Sequence, residues 1–175
     1  MTDVTVRAGR PGSRRGSARA DVLVVLGTFL ALGVVGGVLW WLLVDPAAYT
    51  KLRSGGSMSE LQLGKQFGAD GWYAVIALVA GLLAGGLLTW WRSRDYLLTT
   101  VLVALGSVVA AAVMAGTGGL LGPGNTEAAL AAAPVGALVP VPLQVTGWAV
   151  YLVWPVAGLV GALMVLWSSN ENVEA

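Results

Sequence analysis

The sequence has 175 residues, of which 57% are hydrophobic and only 11% are charged, and its mean hydropathy is +0.78. A water-soluble domain carries more charge and fewer apolar residues, so the composition predicts an integral membrane protein whose first partner is the lipid bilayer. There is no cysteine and no histidine, which excludes disulfides, thiol nucleophiles, haem ligation and the common zinc sites. No nucleic-acid partner is expected.

The first 21 residues differ from the rest of the chain in composition. Residues 1–21 are rich in Arg, Gly and Ser and lack apolar periodicity, so we expect a disordered basic tail on the cytoplasmic side. An apolar run follows and stops at Asp45 and Pro46, where the proline ring and its missing N–H end a helix.

Four apolar runs have the length that a membrane-spanning helix needs. About 20 helical residues cross a hydrocarbon core roughly 30 Å thick. The spans are predicted at 22–44, 72–91, 96–115 and 145–167. The predicted fold class is therefore all-α, an integral membrane four-helix bundle over 22–167, followed by a short cytoplasmic tail over 168–175.

Two longer loops, 45–71 and 116–144, connect the predicted spans. The first loop is expected to carry a short surface helix over 57–66. The glycine-rich segment GTGGLLGPGN is expected to end the third span and form a loop. Asn125 or Thr126 is then placed to cap a short helix that Pro134 closes.

The basic residues predict an orientation. Of the ten Lys and Arg residues, five precede the first span and two lie in the turn after the second, which places seven on one side. Short flanks rich in Lys and Arg stay cytoplasmic, so both termini are predicted to be cytoplasmic and both longer loops to lie outside together. For such a protein we expect the cell inner (plasma) membrane.

The tryptophans fit the same arrangement. Trp72 and Trp91 are 19 residues apart, as are Trp148 and Trp167. At about 1.5 Å per residue this separation is roughly 28 Å, one hydrocarbon thickness, so we expect interfacial anchors. Further anchors are expected at Trp40 and Trp41 on the outer side and at Trp90 on the inner side.

Each predicted span carries small residues at a spacing of four. Because lipid tails are as apolar as leucine, helices in a bilayer associate where small residues let their backbones approach. We expect these rows to pack the four helices of one chain, and a homodimer face is the alternative. The rows are Gly33 and Gly37; Ala77, Gly81 and Gly85; Gly106 and Ala110; Ala157 and Gly161.

The spans offer little chemistry. No ionisable residue lies inside them, so the sequence indicates no proton path or ion site. Their hydroxyls are expected to bond to carbonyls of their own helix. The outer loops carry Asp45, Glu60, Asp70 and Glu127 without the spacing of a metal or nucleophile motif, so we expect no catalytic residue and no cofactor.

The stretch FGADGW contains three of the five positions that we single out. Asp70 is predicted to cap the second helix by accepting its orphan N–H groups at the positive end of the dipole. Gly71 is predicted to let the chain turn in tightly, and Trp72 to fix the helix at the outer interface. A partner protein could contact this corner from outside.

The other two positions lie in the fourth span. Pro155 cannot donate to the carbonyl of Tyr151, so a kink is predicted there, with Trp154 at the bend. Such a kink is read as structural, with a lipid or partner groove as the alternative.

Two short elements resemble a known family. F-x-x-D-G-W from Phe67 to Trp72 and L-V-W-P from Leu152 to Pro155 are similar to elements in a family of small four-span actinobacterial membrane proteins, a domain of unknown function. The likeness covers about 22–167. It implies an inner-membrane protein without an assigned activity, cofactor or substrate, and it transfers no catalytic residue.

Three functional hypotheses follow. The leading one is a non-enzymatic scaffold or accessory subunit for an envelope component, with a protein partner in the membrane. The alternative is a small transporter or channel subunit, which would have to oligomerise because its own core offers only small and apolar side chains. A membrane enzyme using Asp70 or Glu127 is the least favoured. The sequence leaves a homo-oligomer open.

Overall fold

The computed structural model describes residues 13–91 and 96–171. Over these ranges the chain forms helices and three short strands. In chain order the elements are α1 (Ser13–Leu43), β1 (Ala48–Leu52), β2 (Gly55–Ser57), α2 (Glu60–Trp91), α3 (Tyr96–Leu121), α4 (Thr126–Ala132), β3 (Leu138–Pro140), a 3₁₀ helix (Trp148–Leu152) and α5 (Val153–Glu171).

Within the described residues, four helical segments are long and apolar enough to cross a membrane. They are the apolar part of α1, then α2, α3, and the 3₁₀ helix continued by α5. Their most apolar windows have mean hydropathies between 2.0 and 2.6. The predicted bundle of four apolar helices is therefore confirmed, and the helices suggest a multi-pass membrane protein.

The first and last helices of the chain are longer than predicted. α1 begins at Ser13, so the disordered tail predicted over 1–21 is wrong from residue 13 onward, and residues 1–12 lie outside the described part. α5 continues beyond the predicted end at Trp167, and 172–175 lie outside the described residues, as does the basic turn at 92–95. An apolar run marks the part of a helix that fits a membrane, whereas Arg and Ala continue a helix into water at little cost.

α2 begins at Glu60, so the second helix does not start at Trp72 and the predicted loop over 45–71 is shorter. Residues 60–71 contain three glycines, each of which weakens a helix by about 1 kcal/mol relative to alanine. Tertiary contacts outweigh this preference. One of them is a hydrogen bond in which Gln62 Oε1 accepts the backbone N–H of Ala48 at 2.9 Å.

α3 also continues past its predicted end at Ala115, to Leu121, so the prediction that GTGGLL forms a loop is wrong. A Cβ at Gly118 would collide with the ring of Trp40. The glycine is therefore required by close packing of α1 on α3 and does not mark a turn. Asn125 does cap α4, accepting the N–H groups of Glu127 and Ala128 at 2.9 and 3.3 Å, which confirms that prediction.

The two connecting loops meet in a small antiparallel sheet, in the order β2-β1-β3. Thr50 lies opposite Ser57 on one side and Leu138 on the other. The sequence analysis did not predict this sheet, because its strands are short and come from distant parts of the chain. The pairing places both loops at the same end of the bundle.

Helix packing occurs in two close pairs, α1 with α3 and α2 with α5. A Cβ at Gly33 would lie 2.9 Å from the carbonyl oxygen of Ala110, and a Cβ at Gly85 would overlap the carbonyl of Gly158. The rows of small residues therefore pack helices of the same chain, as predicted. Thr28, Thr100 and Ser107 also donate to carbonyls four residues earlier, which confirms the prediction for these hydroxyls. The buried Thr89 hydroxyl has no hydrogen-bond partner among the described residues, so the prediction is wrong there.

Large side chains fill the remaining space inside the bundle. Trp40 lies over Gly118, and Phe29 lies over Gly106. The prediction that Trp40 anchors the chain at the outer interface is wrong, since its ring is fully buried. The fully buried large side chains include Trp40, Trp154, Tyr73, Phe29 and Met114. The other tryptophans are exposed.

Neighbouring glycines of α2 provide a test of this packing. Gly85→Ala should lower the free energy of unfolding by about 1–3 kcal/mol, because its Cβ overlaps the backbone of Gly158. Gly86→Ala is the matched control, because a Cβ there would lie 3.5 Å from the carbonyl of Gly161, an ordinary contact. Unfolding in mixed micelles, followed by tryptophan fluorescence, measures the difference. Equal stabilities of the two variants would contradict the close α2–α5 contact.

Candidate functional site at the capped end of the bundle

Most of the charged residues in the described connecting loops lie at one end of the bundle. This is the end that holds the sheet. We call the sheet, α4 and their connections, residues 45–59 and 122–147, the cap. We call residues 60–71 of α2, which extend beyond the predicted span, the α2 overhang. Twelve residues of helix measure about 18 Å.

Asp70 lies inside α2, ten residues after its start at Glu60. Its two carboxylate oxygens lie 3.0 and 3.3 Å from the backbone nitrogen of Thr146, whose N–H they accept. The prediction that Asp70 caps the second helix is therefore wrong. The carboxylate instead connects α2 to the segment that leads into the 3₁₀ helix, 76 residues away in the sequence.

Gly71 and Trp72 continue α2 without a break. The prediction of a tight turn at Gly71 is wrong, because the residue is helical and a Cβ there would meet open space. Trp72 is exposed on the helix surface, where an aromatic ring can lie at a membrane interface. The structure thus brings Asp70 into a hydrogen bond with a distant segment and leaves Trp72 partly exposed.

Trp154 and Pro155 lie in the first turn of α5, just after the 3₁₀ helix. Trp154 is fully buried, its ring packs edge-on against Phe29 at 6.4 Å, and its Nε1 donates to the sulfur of Met114 at 3.3 Å. Pro155 lies in the first turn of α5, where a helix needs no backbone N–H donor. The helix changes from 3₁₀ to α just before the proline, and the kink stays a prediction.

Two buried aromatic residues, Trp40 and Tyr73, make hydrogen bonds between the long helices that were not predicted from the sequence. Trp40 Nε1 donates to the carbonyl of Ala69 at 2.8 Å, and the Tyr73 hydroxyl donates to the carbonyl of Ala111 at 2.8 Å. The two rings pack edge to face with centroids 5.4 Å apart. Since both polar atoms are bonded, these side chains hold the start of the α2 span against α1 and α3.

The charged groups of the cap are structural or exposed. Lys65 and Asp45 form an ion pair at 2.6 Å, and the carboxylate is largely exposed, so the pair contributes at most about 1 kcal/mol. Among the described residues no group of three or more His, Cys, Asp or Glu is arranged to hold a metal ion. Asp70 and Glu127 lie on different elements, α2 and α4.

The α2 overhang carries the apolar surface of this end. Leu61, Leu63 and Phe67 are exposed, Phe67 to 70%. Gly64 and Gly68 lie beside them on the helix, and a Cβ at either would meet open space. The sequence analysis missed this surface, although Leu63 and Phe67 are four residues apart, the spacing that places side chains on one face of a helix.

Removal of the Asp70 carboxylate should loosen the cap. In Asp70→Ala the Thr146 N–H loses its acceptor, which should cost about 1 kcal/mol and speed amide hydrogen exchange at Thr146 and in the 3₁₀ helix. Asp70→Asn keeps an oxygen acceptor and should change exchange less. Asp45→Ala, which removes an exposed carboxylate, is the control and should leave exchange near Thr146 unchanged. Identical exchange in Asp70→Ala and the control would disprove the role assigned to Asp70.

Comparisons with known proteins give no relative. No protein-family model matches the sequence, and neither the curated proteins nor the solved structures contain a similar chain. The resemblance of the F-x-x-D-G-W and L-V-W-P elements to an actinobacterial membrane family therefore stays a prediction.

Proposed function

We propose that this chain is a multi-pass protein of the plasma membrane that catalyses no reaction. In this proposal it serves as a scaffold or accessory subunit for another envelope component. The observation that carries the proposal is the apolar surface of the α2 overhang, where Leu61, Leu63 and Phe67 are exposed on a helix of 32 residues. At about 1.5 Å per residue this helix is longer than a hydrocarbon core of roughly 30 Å. Exposed apolar surface outside a hydrocarbon core is typical of a protein interaction site.

The contacts around the overhang support a binding role. Three polar contacts hold the overhang in place. Gln62 bonds to β1, Lys65 pairs with Asp45, and Asp70 accepts the backbone N–H of Thr146. A surface that is already ordered loses little conformational entropy when a partner binds. The apolar side chains between these contacts would supply the interaction energy.

The interior of the bundle favours a scaffold or accessory subunit over a transporter or channel that works as a single chain. Phe29, Trp40, Tyr73, Met114 and Trp154 are fully buried where the four long helices meet. Solute passage through a single chain would require these side chains to move apart. An activity as a transporter or channel would therefore need an oligomer.

We further propose that the termini are cytoplasmic and the cap faces outside. The basic residues before the first span and in the 92–95 turn support this orientation, because flanks rich in Lys and Arg remain cytoplasmic. The cap is built from both connecting loops, so a single orientation places the whole apolar overhang on the outer side.

Thiol labelling tests the orientation. The chain has no cysteine, so a single introduced cysteine is the only thiol in the protein. Ser54→Cys, at the exposed turn between β1 and β2, should react with a membrane-impermeant maleimide in intact cells. Ser17→Cys should react only after permeabilisation. The reverse pattern would invert the proposed topology.

Copurification tests the partner surface. Leu63→Ser with Phe67→Ser should reduce recovery of a stoichiometric envelope protein after cross-linking in native membranes by at least about tenfold, since burial of each large apolar side chain contributes roughly 1.5–3 kcal/mol. Val135→Ser with Leu138→Ser is the control, because these cap side chains are similarly exposed, at 62% and 63%. The control should retain the partner.

Two results would contradict the proposal. One is recovery of the same partner by the overhang variant and the control. The other is a stable homo-oligomer without any other protein, which would favour the oligomeric transporter or channel.

A further inference from the structure

A groove of about 980 Å³ separates α1 from α2. It exists because α1 packs along α3 and α2 packs along α5, so these two consecutive helices diverge. Its walls include Thr28, Leu32 and Leu39 from α1 and Val79, Leu83 and Leu87 from α2.

We propose that this groove binds the acyl chains of one membrane phospholipid with an anionic headgroup, and that the headgroup lies at the end where α1 begins. The site is distinct from the α2 overhang and does not depend on the proposed partner.

The position of the groove favours hydrocarbon as its content. The lining residues of α2 run from Val75 to Trp91, within the part of the helix that fits a hydrocarbon core. The Thr28 hydroxyl donates to the carbonyl of Val24 at 2.7 Å, so it is bonded within its own helix. Water would find few polar partners in such a groove, and an empty groove would forfeit dispersion contacts.

The shape of the lining favours acyl chains over a helix from another protein. Helices in a bilayer associate through small residues that allow close backbone approach. In this chain Gly33 and Gly37 pack against α3, and Gly81 and Gly85 pack against α5. The groove walls consist mainly of Leu, Val and Ile side chains, against which a flexible chain packs more readily than a helix backbone.

Charge favours an anionic headgroup at one end. α1 and α2 run antiparallel, since Trp40 late in α1 bonds to Ala69 early in α2. The exposed Trp90 and Trp91 therefore lie at the end where α1 begins, and the first turns of α1 contain Arg14, Arg15 and Arg19 in sequence. Tryptophan rings lie at headgroup level, and each basic residue near the surface attracts an anionic lipid by about 1 kcal/mol.

Lipid retention tests the proposal. The full chain is purified from mixtures of phosphatidylglycerol and phosphatidylcholine with identical acyl chains, and bound lipid is counted by native mass spectrometry. The expected result is one retained phosphatidylglycerol per chain and little phosphatidylcholine. Equal retention of the two lipids would overturn the assigned headgroup.

A matched pair of double variants tests the position. Val79→Trp with Leu83→Trp places larger side chains in the groove, at positions where the native side chains are 52% and 59% exposed. This variant should lower lipid retention about tenfold. Val108→Trp with Leu105→Trp makes the same changes on α3 outside the groove, at side chains 56% and 57% exposed, and should retain the lipid. Equal retention by both variants would overturn the site.

Photo-cross-linking identifies the occupant in native membranes. A benzophenone amino acid in place of Leu87, which lines the groove, should give an adduct with the mass of one phospholipid. An adduct with another protein, or with a second 17.9 kDa copy of this chain, would overturn the proposal by showing that a helix fills the groove.

Discussion

Inside a bilayer, α2 and α5 gain little from hiding apolar side chains from one another, because the surrounding lipid is equally apolar. What they gain is dispersion contact, which requires their backbones to come very close. The backbones of Gly85 and Gly158 meet at such a contact, and Gly33 packs in the same way on the backbone of Ala110 in α3. The arrangement of the four long helices depends on these glycines.

Because the long helices form two close pairs, wider spaces remain elsewhere. Those inside the bundle are filled by side chains, whereas the one between α1 and α2 stays open. Inside the bundle the spaces hold Phe29, Trp40, Tyr73 and Trp154, whose rings lie against one another or against glycines of the facing helix. Between α1 and α2 the space remains a groove lined by the chain's own aliphatic side chains. The same packing choice therefore produces both a filled core and an open apolar groove.

Hydrogen bonds also hold the helices in place at the capped end of the bundle. Trp40 and Tyr73 hold the start of the α2 span, and Asp70 attaches the helix to the segment before the 3₁₀ helix. The overhang is therefore an ordered part of a helix that is longer than a hydrocarbon core. Its exposed apolar side chains are the basis of the proposed partner site.

Part of the burial pattern was readable from helical spacing. Trp40 follows Gly33 and Gly37 at intervals of four and three, and Tyr73 precedes Ala77 and Gly81 at intervals of four, which places both rings on faces of small residues. Trp72 lies one position away from the row of Ala77 and Gly81 and is exposed. Trp41, however, continues the spacing of four after Gly33 and Gly37 and is also exposed, so only the packing of α1 on α3 decided which of Trp40 and Trp41 is buried.

The sequence by itself determined the four apolar helices, the rows of small residues that pack them and the Asn125 cap, because each depends on neighbours within a few turns of one helix. Only the tertiary structure decided where α2 begins, where α3 ends, what Asp70 binds and how the loops pair in a sheet. Local sequence patterns gave wrong predictions for these helix bounds. Glycines that break an isolated helix are tolerated within α2, and in α3 they are required by packing. The carboxylate of Asp70 found its donor 76 residues away, beyond the reach of any local pattern.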